Sequence, residues 1–374
     1  MGYQFSFSRL AHILVALFLT GWILIVGKFL LAPLAFSLLF AFMLIPLCGW
    51  LEKWIPNRFL AILITFLLAL LPVTGVLTIF GFQLAAVLGD LENIGSRLSK
   101  GLQDLVVGWE EYFMFSEDQI RNWTDLTVES LIQGSGDLLG LGISSSTAVL
   151  GSFILVFIFT FFMLLYRTAF KNFFLIQFEP EQREEVGEIL FSVQTLTRHY
   201  LYGMMLVMAI LAVLNSLGLW LIGIEYAVFW GCLAAFLAII PYLGTTLGGT
   251  LPFLYALATT GTWWQPAAVV ALYFSVQQIE GNFITPKVVG GSVDINPMAA
   301  IISLFLGGVL WGVSGLILAL PALAAIKVTM EHIPRFEPLA HLLDSRLFAK
   351  QDLFFEKYDH PQYRLSQLFK RKGD

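Results

Sequence analysis

Apolar positions fall along this chain in long blocks separated by short charged stretches, and the blocks define its elements. Residues 10–27, 29–51, 59–89, 138–166 and 199–224 contain no Asp, Glu, Lys or Arg. A helix that crosses the hydrocarbon of a bilayer needs about 20 apolar residues at a rise of about 1.5 Å each. Each block therefore predicts one membrane-spanning helix. Two further uncharged blocks, 226–279 and 295–326, are too long for that. As single helices they would measure about 80 Å and about 48 Å against a core of about 30 Å. They must break or fold back. The first contains PYLGTTLGGTLP, with Pro241, Gly244, Gly248, Gly249 and Pro252; the second carries Gly307, Gly308, Gly312 and Gly315 ahead of Pro321. Broken backbone survives at membrane depth only when packed in protein or lining a wet cavity.

Charged residues orient the blocks. Arg9, Lys53 and Arg58, then Arg167, Lys171, Arg183 and Arg198, and finally the basic residues from Lys327 to Lys372 fall on one side if the chain begins in the cytoplasm. The stretch 90–137 carries Arg97, Lys100 and Arg121 against ten acidic residues, and falls on the other. The positive-inside rule then predicts both termini in the cytoplasm. It also requires an odd number of crossings between 225 and 327, which two hairpins flanking one span near 264–282 would supply. Leu84, Val87, Leu88 and Leu91, then Leu98, Leu102, Leu105 and Val106, recur at helical spacing among charges and predict amphipathic helices. Residues 179–198 predict a second amphipathic helix, on the cytoplasmic side. The expected organisation is membrane spans in 1–82, an extramembrane amphipathic insert over 83–142, the core membrane region over 143–330, and a polar, at best partly ordered cytoplasmic tail over 331–374.

Composition narrows the class. Hydrophobic residues make up 58% of the chain, charged residues 13%, and the mean hydropathy is +0.80. Soluble domains carry roughly 25% charged residues. The expectation is an all-α, polytopic transmembrane protein of the inner membrane with about seven or eight membrane segments, two of them broken hairpins. Its main partner is the lipid bilayer, not nucleic acid. Cys48 and Cys232 sit in apolar runs without metal-ligand or CxxC spacing and read as core thiols. The five histidines never pair at metal-ligand spacing in a span, and no GxxxxGK[ST] nucleotide loop occurs. Gly312-Val313-Ser314-Gly315 matches the GxSG of intramembrane serine proteases, but no His or Lys lies in the apolar stretch 316–326 to take a serine's proton. Those glycines read as sites of close helix approach. The chain is expected to be neither an enzyme nor a holder of a cofactor or metal.

Candidate transport chemistry gathers after the 264–282 span: Gln277, Gln278, Glu280, Asn282, Thr285 and Lys287, followed by Asp294 and Asn296. Ionisable groups near membrane depth are costly and tend to mark pathways or coupling sites. Glu280 is the sharpest candidate. Gln277 stands one helical turn earlier on the same face, and Lys287 is the alternative salt-bridge partner that would make Glu280 an interfacial bystander. Interrupted helices also expose N–H and C=O groups that bind polar solutes or ions. These features favour a transporter over a scaffold.

The same residues carry a resemblance. PYLGTTLGGTLPFLYAL, VQQIEGNFITPKVVGG and INPMAAIISLFLGGVLWGVSGLILALPALAAIKV resemble the carboxy-terminal signature of the autoinducer-2 exporter family. Its P-x-x-G falls on Pro241 and Gly244, and its I-E-x-N-x-x-x-P on Glu280, Asn282 and Pro286. Its G-G, G-x-x-G and small-residue-Pro elements fall on Gly307-Gly308, Gly312 with Gly315, and Ala319 with Pro321. Upstream, only the order of elements is similar. The resemblance implies export or facilitated passage of a small polar solute and homo-oligomeric assembly. For some members it implies sodium/proton antiport, which is the alternative function here; a non-transporting scaffold is the third.

Overall fold

A computed structural model describes residues 7–89, 97–98, 151–240, 243–289, 294–345, 357–360 and 363. Among these residues every regular element is helical. The amphipathic insert expected over 83–142 lies almost wholly outside them. The chain divides into two compact units that interleave in sequence.

The first unit comprises residues 1–65, 152–202 and 289–374. It holds α1 (Phe7–Val26) and α2 (Lys28–Leu51), the start of α3 (Arg58–Gly89), and α4 (Gly151–Leu165) followed by α5 (Arg167–Ile176). The first half of α6 (Arg183–Ile222) also belongs to it, with α11 (Pro297–Trp311), α12 (Val313–Glu331) and α13 (Glu337–Leu342). Asn57 starts α3 by accepting the N–H of Phe59 at 3.0 Å. The α4–α5 junction bends by 68° at Tyr166, and α5 leaves Phe170, Phe173, Phe174 and Ile176 exposed. Asn296 caps α11 by accepting the N–H of Ala299 at 2.8 Å, with Pro297 at the first helical position.

The hairpin α11–α12 turns at Gly312, whose φ of +63° is the left-handed region that glycine enters without strain. Its arms pack backbone to backbone, because a methyl on Gly315 would collide with the carbonyl of Gly307. The five sequence breakers thus divide: Gly312 makes the turn, while Gly307, Gly308, Gly315 and Pro321 stand within the arms.

The second unit comprises residues 66–151 and 203–288. It holds the remainder of α3 and α6, then α7 (Ala227–Leu237), α8 (Leu243–Thr259) and α9 (Trp264–Ile279). A π-helical turn, Glu280–Ile284, leads into α10 (Thr285–Val288). A core cluster of Val87, Leu219, Ala227, Phe229, Trp230, Tyr255, Ala256 and Val269 binds these helices. The break expected over 241–252 is narrower than that. Residues 238–240 leave the helix after α7, and Gly244, Gly248, Gly249 and Pro252 all lie within α8. Helix resumes so early because the glycines let α8 lie directly on α7. A methyl on Gly244 would strike the Ala238 backbone, and one on Gly248 would come within 3.1 Å of Ala234 Cα. Pro241 lies outside the described residues.

One further expectation changes. The amphipathic stretch 179–198 is not a separate element, because α6 runs unbroken from Arg183 through the span. Pro180 precedes its start, and Glu184 and Glu185 in its first turn complement the helix dipole. No proline interrupts it thereafter. In the tail beyond 331, residues 332–345 form a turn and α13.

Among the described residues, four helices are long and apolar enough to cross a membrane, five if the bent α4–α5 pair counts as one; that measure does not confirm the expected seven or eight segments. Residues Ala11–Val26, Ala227–Leu237 and Pro297–Trp311 form shorter apolar helices. Phe18, Leu71, Phe82, Trp220, Leu221 and Phe305 are large apolar side chains left mostly exposed. An aqueous surface does not tolerate so much of this; lipid does.

Candidate functional site

Helix α9 is apolar through its length and ends on amides and a carboxylate. Its buried face is set by Val269, Tyr273 and Val276, spaced at i, i+4 and i+7, and the next position on that face is Glu280. Glu280 is half-buried and takes a side-chain hydrogen bond from Gln277, so the structure brings together the two residues that the sequence paired. Gln277 itself is exposed.

Glu280 also opens the π turn. The N–H of Thr285 reaches back five residues to the Glu280 carbonyl, widening the helix there. Asn282 Nδ2 donates to the Gln278 carbonyl at 2.9 Å and to Gln278 Oε1 at 3.2 Å. Pro286 and Lys287 lie in α10. Lys287 is exposed, and no ion pair joins it to Glu280 among the described residues.

The remainder of the polar cluster separates. Asp294 and Asn296 belong to the first unit, where they serve a clasp built around Lys327. Lys327 is 6% exposed near the end of α12. Its ammonium donates to the Asp294 carbonyl at 2.5 Å and to Asp344 Oδ1 at 2.7 Å, with Glu331 at 3.6 Å. His341 Nδ1 lies 3.3 Å from the other Asp344 oxygen, and Asn296 Nδ2 donates to the Leu342 carbonyl at 2.6 Å. The clasp ties the start of α11 to the tail beyond α12. Sequence reading counted Lys327 among the tail charges; the signal it offered was a lone lysine closing the long apolar block 295–326.

A second ionic group was also missed. Glu52 pairs with Arg167 at 2.5 Å and with Arg58 at 3.4 Å, and Arg58 donates to the Leu164 carbonyl at 3.0 Å. It fixes the α2–α3 turn to the α4–α5 bend.

The described helices, several long and apolar enough to cross a membrane, make this a helical, multi-pass membrane protein. Residues 12–335 match the AI-2E family transporter profile, and the chain belongs to that family. YrrI of Bacillus subtilis is 26% identical over 84% of this chain and 89% of its own length. The Synechocystis protein sll0063 is 29% identical over 83% of this chain and 81% of its own. TqsA of Escherichia coli, named an AI-2 transport protein, is 23% identical over 84% and 89%. The chain is therefore a membrane transporter by family.

Proposed function

We propose that this transporter moves a small polar solute across the inner membrane as a homo-oligomer with both termini in the cytoplasm, and that Glu280 with Gln277 forms part of its polar path. The observation that carries the reading is the end of α9. There a half-buried carboxylate at the start of a π turn has an amide beside it and, among the described residues, no ion-pair partner. Such a group is costly in an apolar setting and is retained where it meets a solute, a proton or a cation. Export in the manner of the AI-2 transport protein is one form of this function. Sodium/proton antiport is the second reading, favoured by the carboxylate alone.

Proteoliposomes decide between them. Solute-driven flux that persists without pH or sodium gradients supports the solute transporter. Proton movement on a sodium gradient, with no solute flux, supports antiport. The topology has its own test: a cysteine at Ser116, in the acidic stretch, should be labelled by an impermeant thiol reagent added to spheroplasts. Labelling only after lysis reverses the orientation.

A further inference from the structure

Helix α5 turns away from the direction of its span and buries almost nothing. It leaves α4 at 68°, and between Thr168 and Ile176 only Leu175 is part-buried. Phe170, Phe173 and Phe174 stand at i, i+3 and i+4, with Ile176 one turn past Phe173, and all four are exposed. Thr168 and Asn172 take the opposite side, with Leu175 one turn past Asn172. Leu175 faces α6, where a Cβ on Gly187 would stand 3.9 Å from it. The polar side of α5 is thus turned to the protein and its rings outward. Three contacts hold the bend: Arg58 donates to the Leu164 carbonyl, Arg167 pairs with Glu52, and the Tyr166 ring stacks on Phe162 at 6.0 Å.

We propose that α5 lies in the headgroup region of the leaflet where α4 ends, with its rings among the acyl chains and Lys171 on anionic phospholipid headgroups. Continuity with the span favours lipid as the occupant. Helix α4 exposes Phe153, Ile154, Phe157 and Phe162, and exposed rings continue across the bend at Tyr166 and Phe170. A span tilted by about 20° leaves α5 within roughly 45° of the bilayer plane. A helix so placed sinks its apolar face about 5–10 Å into the boundary between headgroups and chains. Charge fits the same level. Lys171 is exposed beside the rings, one turn past Arg167, and Lys53 is exposed on the α2–α3 turn that Glu52 ties to the bend. The acidic residues Glu179, Glu181, Glu184 and Glu185 all follow the far end of α5. Anionic headgroups therefore belong to its first half, where the span ends and the cations stand.

The test uses the full-length protein in proteoliposomes, with Cys48 and Cys232 changed to Ser. A nitroxide is attached at Phe170→Cys, on the ring face, or at Asn172→Cys, on the opposite side; both positions are exposed, so neither label disturbs a core. The label at 170 should collide with oxygen and be shielded from the neutral complex nickel ethylenediaminediacetate. Its oxygen-to-nickel collision ratio should be about tenfold that at 172. High and equal nickel contact at both positions puts α5 in water and overturns the proposal. A label at 170 shielded from oxygen and nickel alike puts protein over the rings, a second copy or another segment of this chain, and overturns it as well. Headgroup recognition has its own arm. Replacing about a third of the phosphatidylcholine by phosphatidylglycerol should lower nickel contact at 170 about threefold, and Lys171→Gln should remove most of that response. Free inorganic phosphate added to phosphatidylcholine vesicles should not reproduce it. Nickel contact that is the same in both lipids, or a response undiminished in Lys171→Gln, overturns the anionic contact. Each readout is of position, so a failure of solute transport leaves the result standing.

Discussion

Lys327 in the first unit and Glu280 in the second are both ionisable groups at the ends of apolar helices, and they are treated in opposite ways. Lys327 is almost wholly buried, and its ammonium is matched by a backbone carbonyl, the Asp344 carboxylate and the nearby Glu331. Glu280 is half-buried, and its neighbour is the neutral amide of Gln277. A buried charge with full partners has its desolvation offset and holds structure together. A carboxylate left with one neutral partner keeps capacity to bind something else. Hydropathy alone gives the two residues the same description; the list of partners separates them.

The comparison breaks most visibly at Lys327. Lys327→Met keeps an unbranched apolar stem but leaves Asp344 and the Asp294 carbonyl without their donor. Removing one member of a buried pair costs roughly 3–5 kcal/mol. Thermal unfolding in detergent should show a large fall in midpoint, and an unchanged midpoint would remove the clasp from the fold's supports.

Next in size comes the α11–α12 hairpin. Gly315→Ala drives a methyl into the Gly307 carbonyl, and backbone cannot swing aside as a side chain can. Overpacking of this kind costs about 1–3 kcal/mol. Gly249→Ala is the milder counterpart, because its methyl would meet the Tyr273 ring at 3.3 Å, a contact that a small ring movement relieves. Midpoints that fall equally for the two variants would contradict the distinction between backbone and side-chain contact. Smaller again is Glu52→Gln. Its partners are partly exposed, so the loss is about 1 kcal/mol or less and should shrink further in high salt. A salt-independent loss would place the pair in a drier setting than its exposure indicates.

The order of these effects shows what the sequence made legible. Uncharged block length located the long apolar helices α2, α3 and α6, because lipid imposes one rule on every residue of a crossing helix. It also located both hairpins, since no single helix could be so long. What it could not do was tell a glycine that turns the chain from one that lets helices touch. Gly312 and Gly315 are three residues apart in one motif, yet only Gly312 has the left-handed backbone, while Gly315 is ordinary helix against Gly307. The same held for charge: Asp294 and Asn296 looked continuous with Glu280 in sequence, and folding gave Asp294 to Lys327 and Asn296 to the Leu342 carbonyl instead. Glu280 and Gln277 were legible as a pair because they are one turn apart on a single helix, where spacing alone predicts contact.

The smallest expected effect on stability belongs to Glu280→Gln, and it sharpens the comparison most. Glutamine keeps the shape and a hydrogen-bonding tip, and Gln277 can bond to it as it bonds to the carboxylate. The unfolding midpoint should therefore stay near wild type, in contrast to Lys327→Met. Transport should not stay the same. A carboxylate exchanges a proton or accepts a cation, and an amide does neither. If Glu280 couples solute movement to protons, the variant should lose the pH dependence of flux that the wild type shows. Downhill exchange of solute should survive, because that step needs the path and not the proton. If Glu280 only lines the path of a facilitator, the rate should fall while the shape of the pH profile is kept. A variant that matches wild type in rate and profile, with its midpoint unchanged, leaves the carboxylate no part in transport. Glu280 would then be a helix-end charge like many others, and the polar path would have to be sought elsewhere.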